Sequence, residues 1–134
     1  MKFISKSILE TYALAEQVAK KLSGGEIITL EGDLGVGKTT FTKGLARALE
    51  VKEEILSPTF IMMRQYKGRL KIYHYDLYRI EDEEELEELG IKENLYDTGA
   101  VSVIEWNKFK DLPKKPIRIK IERIDDNTRS FEIE

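Results

Sequence analysis

Between Gly32 and Thr39 the chain reads GDLGVGKT, which puts Gly32, Gly37, Lys38 and Thr39 in the pattern G-x-x-x-x-G-K-[ST]. Glycines at 32, 35 and 37 let the backbone turn sharply and aim several N–H groups at one anion. A helix that starts at Lys38 adds the positive end of its dipole at the same point. Lys38 is placed to reach the β- and γ-phosphates of a nucleotide. The Thr39 hydroxyl is placed to take one position on a magnesium ion that otherwise keeps oxygen and water ligands. Gly35, Val36, Gly37, Lys38, Thr39 and Thr40 are therefore the expected nucleotide-binding residues of the loop. The chemistry is a phosphate grip, which kinases, GTPases, motors and switches all use.

Phosphoryl chemistry also requires a carboxylate for the metal and a group that positions the attacking water or acceptor. Two apolar runs end in an acid: KIYHYD at Asp76 and VSVIE at Glu105. Strand ends in α/β sheets face the ligand crevice, so both acids are candidates; the plainer reading is a pair of exposed strand-end carboxylates. His74 is the only histidine, and alternation puts it on the strand face of Ile72 and Asp76, opposite Tyr73 and Tyr75. Its imidazole is either a structural hydrogen-bonding group, the commoner role beside a carboxylate, or a base.

The elements that must hold these groups follow from the pattern. A short strand is expected over residues 2–4. Ser7 with Glu10 three residues on has capping-box spacing, and Leu14, Val18 and Leu22 then form a helical stripe that ends at Ser23-Gly24-Gly25. The apolar run 26–31 leads straight into the glycine loop, and Phe41, Leu45 and Leu49 predict a helix over 38–50. Strand, glycine loop, helix is the context that the phosphate pattern demands. Runs 60–66 and 70–76 around Lys67-Gly68-Arg69 predict a hairpin. The acidic segment 81–89, with Leu86 and Leu89 three apart and Gly90 closing it, is a solvated helix face or a docking surface. A further apolar strand covers 101–106, and runs 116–124 and 130–134 form a terminal hairpin across Asp125-Asp126-Asn127-Thr128. The expected fold is α/β: one domain over 1–134 with a three-layer core of the P-loop NTPase type. Its sheet is mostly parallel, with added antiparallel strands and hairpins.

Composition narrows the partners. With 134 residues, 41% hydrophobic and 35% charged, the chain can bury a core and is not of disordered type. No run of eighteen apolar residues provides a membrane span, and the N-terminus has no apolar core followed by small residues. The absence of cysteine excludes disulfides and thiolate metal sites. The expected setting is cytoplasmic. A net charge of −3 argues against a broad nucleic-acid surface, so any RNA is reached through a partner or a local patch.

A GTPase needs N-K-x-D to read guanine, but Asn107-Lys108-Phe109-Lys110 carries lysine in place of the acid, and a D-x-x-G switch is missing. A small-molecule kinase needs an acceptor pocket and a closing lid, for which 134 residues leave little room. A nucleotide-gated binding module with incidental hydrolysis stays open beside the kinase.

Five ordered motifs carry a family resemblance: GDLGVGKTTF at 32–41, SPTF at 57–60, HYDLYR at 74–79, ELEELGI at 85–91 and IEW at 104–106. Together they span nearly the whole chain, which resembles the TsaE (YjeE) family, small ATPases of bacterial tRNA threonylcarbamoyladenosine synthesis. The resemblance implies an ATPase using ATP and Mg2+, slow alone and faster in complex. It implies an accessory that binds the TsaB–TsaD pair and resets it between turnovers, with tRNA reached through that complex. It implies that Thr59, in a switch-like segment, senses the γ-phosphate or its magnesium, that Asp76 serves hydrolysis, and that Glu105 takes the Walker B position on the metal with Thr39. Family adenine contacts map to Thr11 and Arg129. One departure stands: the family often has proline after IEW, and this chain has Asn107.

Overall fold

Ile27, Ile28 and Leu30 are almost completely buried, so this strand is covered on both faces and must run through the middle of a sheet. In the computed structural model, which describes residues 1–58 and 61–134, it does. Seven strands form one sheet: β1 (Lys2–Ser5), β2 (Ile27–Glu31), β3 (Met63–Tyr66), β4 (Lys71–Asp76), β5 (Ala100–Glu105), β6 (Ile117–Arg123) and β7 (Arg129–Ile133). Their order is β1-β7-β6-β2-β5-β4-β3. β2 runs parallel to both β5 and β6, and β4 parallel to β5. β3, β7 and β1 join antiparallel at the two sides. The expected mixed sheet, parallel at the centre, is therefore present.

Alternation along the strands sorts the side chains into two cores. Ile28, Leu30, Ile72, Val101, Val103 and Ile119 face one side, where α1 (Ile8–Ala19) and α2 (Lys38–Ala48) bring Leu14, Phe41 and Leu45. Ile27, Tyr73, Tyr75 and Ile104 face the other, under Leu86 of α3 (Glu83–Leu89), Leu95 of a 3-10 turn (Lys92–Tyr96) and Phe109. Helices on both faces of one sheet give the three layers. Gly44 marks a close contact of α1 with α2: a Cβ there would stand 2.9 Å from Ala15 Cβ and 3.1 Å from Tyr12 Cα.

Local signals act much as their chemistry dictates, with shifts at the ends. Ser7 caps α1, its hydroxyl accepting from Glu10 N at 3.1 Å. The return bond of the capping box is displaced by one residue, because Glu10 accepts from Lys6 N at 3.0 Å. α1 ends at Ala19 rather than at the Gly24-Gly25 pair, and tight turns carry the chain on to Leu22, which stays in the core. α2 stops at Ala48, two residues short of expectation, with Glu50 at φ +64°. The terminal hairpin forms as β6 and β7. The 3-10 turn at Lys92–Tyr96 has no counterpart in the sequence expectations. The expected strand start at Phe60 lies outside the described residues.

Candidate functional site

The parallel order β2-β5-β4 sets the carboxyl ends of three strands side by side. The glycine loop leaves β2, while β5 and β4 end in register at Glu105 and Asp76. Strand parity turns both acids, with His74, toward the α1–α2 face, where α2 begins.

The loop is pinned at its base and open at its tip. Gly32, at φ +152°, is pressed against β6, and a Cβ would stand 2.6 Å from Ile121 O. Val36 is buried in the core. Gly37 takes the cap position of α2 at φ +117°, with no side-chain cap and open space where a Cβ would be. The first N–H groups of α2 thus point at a space that a phosphate can approach closely.

Lys38 is only 5% exposed. Its Nζ donates to Gly32 O at 2.6 Å and stands 3.9 Å from the centroid of the Trp106 ring. Burial pushes the amine below its ordinary range, against the opposing pull of Glu105, Asp76 and Asp33. Trp106 follows Glu105 with a left-handed backbone (φ +56°), and its ring meets the Tyr78 ring edge-on at 5.0 Å.

Lys38, Thr39, Thr40, Asp76, Glu105 and Trp106 line one cleft of ≈ 260 Å3. Gly35, Gly37 and Thr40 also border a second, of equal size, which continues to Thr11, Asn127 and Arg129. The two therefore form one path across the start of α2: a charged end at the strand tips and a more sheltered end between α1 and the β6–β7 turn. A wider hollow of ≈ 610 Å3 behind the loop holds none of Lys38, Asp76 or Glu105.

At the charged end the acids are fixed. His74 Nε2 and Glu105 Oε2 are 2.6 Å apart, and both residues are buried. Asp76 Oδ1 accepts from Tyr78 N at 3.0 Å. The reading of the two acids as exposed strand-end groups fails. The Thr39 hydroxyl and two carboxylates form an oxygen donor set, which suits magnesium. Among the described residues no three His, Cys, Asp or Glu side chains cluster to hold a metal.

At the sheltered end the two predicted contacts are already engaged. Ser5 Oγ donates to Ser7 O at 2.8 Å, so the buried 2.7 Å bond between Ser5 and Thr11 has the Thr11 hydroxyl as donor. Arg129 Nε donates to Val36 O at 2.8 Å, and Nη1 donates to Asp125 O and Thr128 O at 2.7 and 3.1 Å. Arg129 thus ties the loop to the β6–β7 turn while lining the cleft. Thr59 lies outside the described residues. The geometry adds Trp106 and Ser57, which line the charged end, and Asn127, which lines the sheltered end, residues to which sequence reasoning gave no role. For Trp106 the signal was present in IEW; for Asn127 nothing in the sequence ties the turn to the loop.

Comparison with known proteins places the chain in a family. The family model described as "Threonylcarbamoyl adenosine biosynthesis protein TsaE" matches residues 5–131. The chain is 43% identical to the TsaE protein of Bacillus subtilis, over 91% of this chain and 77% of that one. It is 38% identical to that of Treponema pallidum over 99% of both, and 39% identical to that of Aquifex aeolicus over 99% and 98%. Among solved structures, YdiB of Bacillus subtilis superposes with a TM-score of 0.82 at 33% identity, covering 99% of this chain and 83% of that one. The family model and these relatives match along nearly the whole length, and the chain belongs to the TsaE family, proteins of threonylcarbamoyl adenosine biosynthesis.

Proposed function

We propose that this protein, acting as one domain over residues 1–134, binds Mg-ATP and hydrolyses it as the accessory ATPase of tRNA threonylcarbamoyladenosine formation. It acts in the cytoplasm on a TsaB–TsaD pair and touches tRNA only through that complex. The observation that carries the reading is the convergence of Lys38, Thr39, Asp76 and Glu105 on one cleft at the start of α2. Family membership supports the pathway. Among the described residues no helix is long and apolar enough to cross a membrane.

The residues divide the work. The N–H groups of Gly35 to Thr40 cradle the phosphates, and Lys38 leaves Gly32 O and the Trp106 face to reach them. Thr39 and Glu105 would hold a magnesium ion, which when bound would offset the charge developing on the phosphate oxygens. Asp76 orients the attacking water, and Thr59 senses the γ-phosphate. The base and ribose lie along the sheltered end beside Thr11 and Asn127, where Arg129 shapes the loop. The output of such a switch is a contact with its partners.

The test is ATP turnover by the purified chain and by Lys38→Ala. The variant is expected to lose hydrolysis by at least ~100-fold, the scale of removing a group that stabilises transition-state charge. A variant that hydrolyses ATP at the wild-type rate would remove the mechanism.

A further inference from the structure

We propose that His74 is a positioning residue for Glu105: its Nε2–H holds the carboxylate in the orientation that serves the metal and the water. The inference rests on the ATPase reading for its consequence, but on geometry alone for its premise.

The 2.6 Å contact joins two side chains removed from solvent, His74 at 0% and Glu105 at 5% exposure. A carboxylate only accepts, so the bond puts a hydrogen on Nε2 of the imidazole. His74 stands opposite Val103 in the β4–β5 register, two pairs before Asp76 opposite Glu105 and on the same face of the sheet. The imidazole therefore lies beneath the carboxylates, on the sheet side of the cleft, and does not line it. From there it cannot meet a nucleotide; it can only set the angle of Glu105.

The far side of the ring supports the same hydrogen placement. Across β3–β4 the register partner of His74 is Arg64, and partners in an antiparallel ladder share a face. Two buried side-chain nitrogens among the described residues have no hydrogen-bond partner, His74 Nδ1 and Arg64 Nε. Arg64 only donates, so its side chain offers no acceptor for a second ring hydrogen on that face. The arrangement of a hydrogen on Nε2 toward the carboxylate, with Nδ1 left without a partner, is internally consistent. It resembles the outer partners that orient metal ligands generally, whose loss costs ~10–100-fold in affinity or activity.

The chain has a single histidine, so 15N-histidine labelling reports this ring alone. The spectrum of the full chain should show a hydrogen on Nε2, and Glu105→Gln should shift that resonance. Two variants test the consequence. His74→Gln places an amide N–H near the Nε2 position, whereas His74→Leu keeps bulk and removes the donor. Both should bind AMP-PNP without magnesium as the wild type does. His74→Leu should lose the magnesium-dependent gain in AMP-PNP affinity and should turn over ATP ~10–100-fold more slowly, while His74→Gln stays within about threefold of the wild type. If His74→Leu does not fold, His74→Gln and the spectrum still decide.

A bare Nε2 would overturn the proposal, as would a folded His74→Leu with unchanged magnesium dependence. So would a folded His74→Gln as impaired as a loss of Glu105. A wild type that turns over no ATP would defeat the hydrolysis reading, while the spectrum and the magnesium-dependent binding would still test His74.

Discussion

The ammonium of Lys38 rests 3.9 Å from the centroid of the Trp106 ring, the only indole in the chain. The lysine that is to grip phosphate is thus held by a π-face and by the carbonyl of Gly32. Each is a modest hold, about 0.5–2 kcal/mol for such a cation–π contact, and one that the β- and γ-phosphates of a bound nucleotide would outcompete. Trp106 emission should therefore change when AMP-PNP binds, because the charge leaves the ring. Lys38→Ala should alter the emission of the free protein and abolish most of the response. An identical spectrum with and without saturating nucleotide would show that Lys38 does not leave the indole.

Arg129 connects two separate parts of the chain, its Nε on Val36 O and its Nη1 on the β6–β7 turn. A hydrogen bond from a charged donor contributes roughly 1.5 kcal/mol, or about tenfold in an equilibrium. Arg129→Leu should weaken ADP binding by about that factor through a loosened loop. Arg129→Lys should recover little, because an ammonium cannot span both carbonyl groups as the fork does. Calorimetric titration with ADP checks both, and an unchanged affinity in Arg129→Leu would leave the arginine without influence on the loop.

Far from the cleft, Asp97 ties β4 to the start of β5. It accepts from Tyr73 Oη at 2.7 Å, Gly99 N at 2.9 Å and Lys71 Nζ at 3.2 Å. The Tyr73 hydroxyl first, then the Gly99 N–H and Lys71, hold its carboxyl below the ordinary aspartate range. A depressed acid contributes stability above its ordinary pKa, and that contribution is lost as pH falls through the lowered folded value. The wild type should thus lose this part of its stability below about pH 4. Asp97→Asn lacks it already at neutral pH and should decline less steeply on acidification. Urea midpoints measured from pH 7 downward compare the two, and parallel curves would remove the role.

Much of the fold was legible because its signals are local. Gly32, Gly37 and Lys38 sit between an apolar run and a helical stripe, and that context needs no tertiary information. The same holds for Ser7 at the start of α1 and for the β6–β7 hairpin, whose turn residues lie next to one another. What could not be seen depends on strand order. Nothing in KIYHYD or VSVIE says that the two strands are parallel neighbours, so the bond between His74 and Glu105 was out of reach although both residues had been singled out. Family resemblance marks Arg129 as an adenine contact, and only the meeting of the β6–β7 turn with the loop reveals its hold on Val36 O. The 3-10 turn at Lys92–Tyr96 was missed because Leu95, its one buried side chain, makes no period.

The switch reading stands on the response to partners. ATP turnover should be measured for the chain alone and with purified TsaB and TsaD, with Lys38→Ala carried through both arms. Turnover should be slow alone, rise several-fold with the pair, and vanish in Lys38→Ala under either condition. Turnover that stays flat across all concentrations of TsaB and TsaD would contradict a role as their ATP-driven switch.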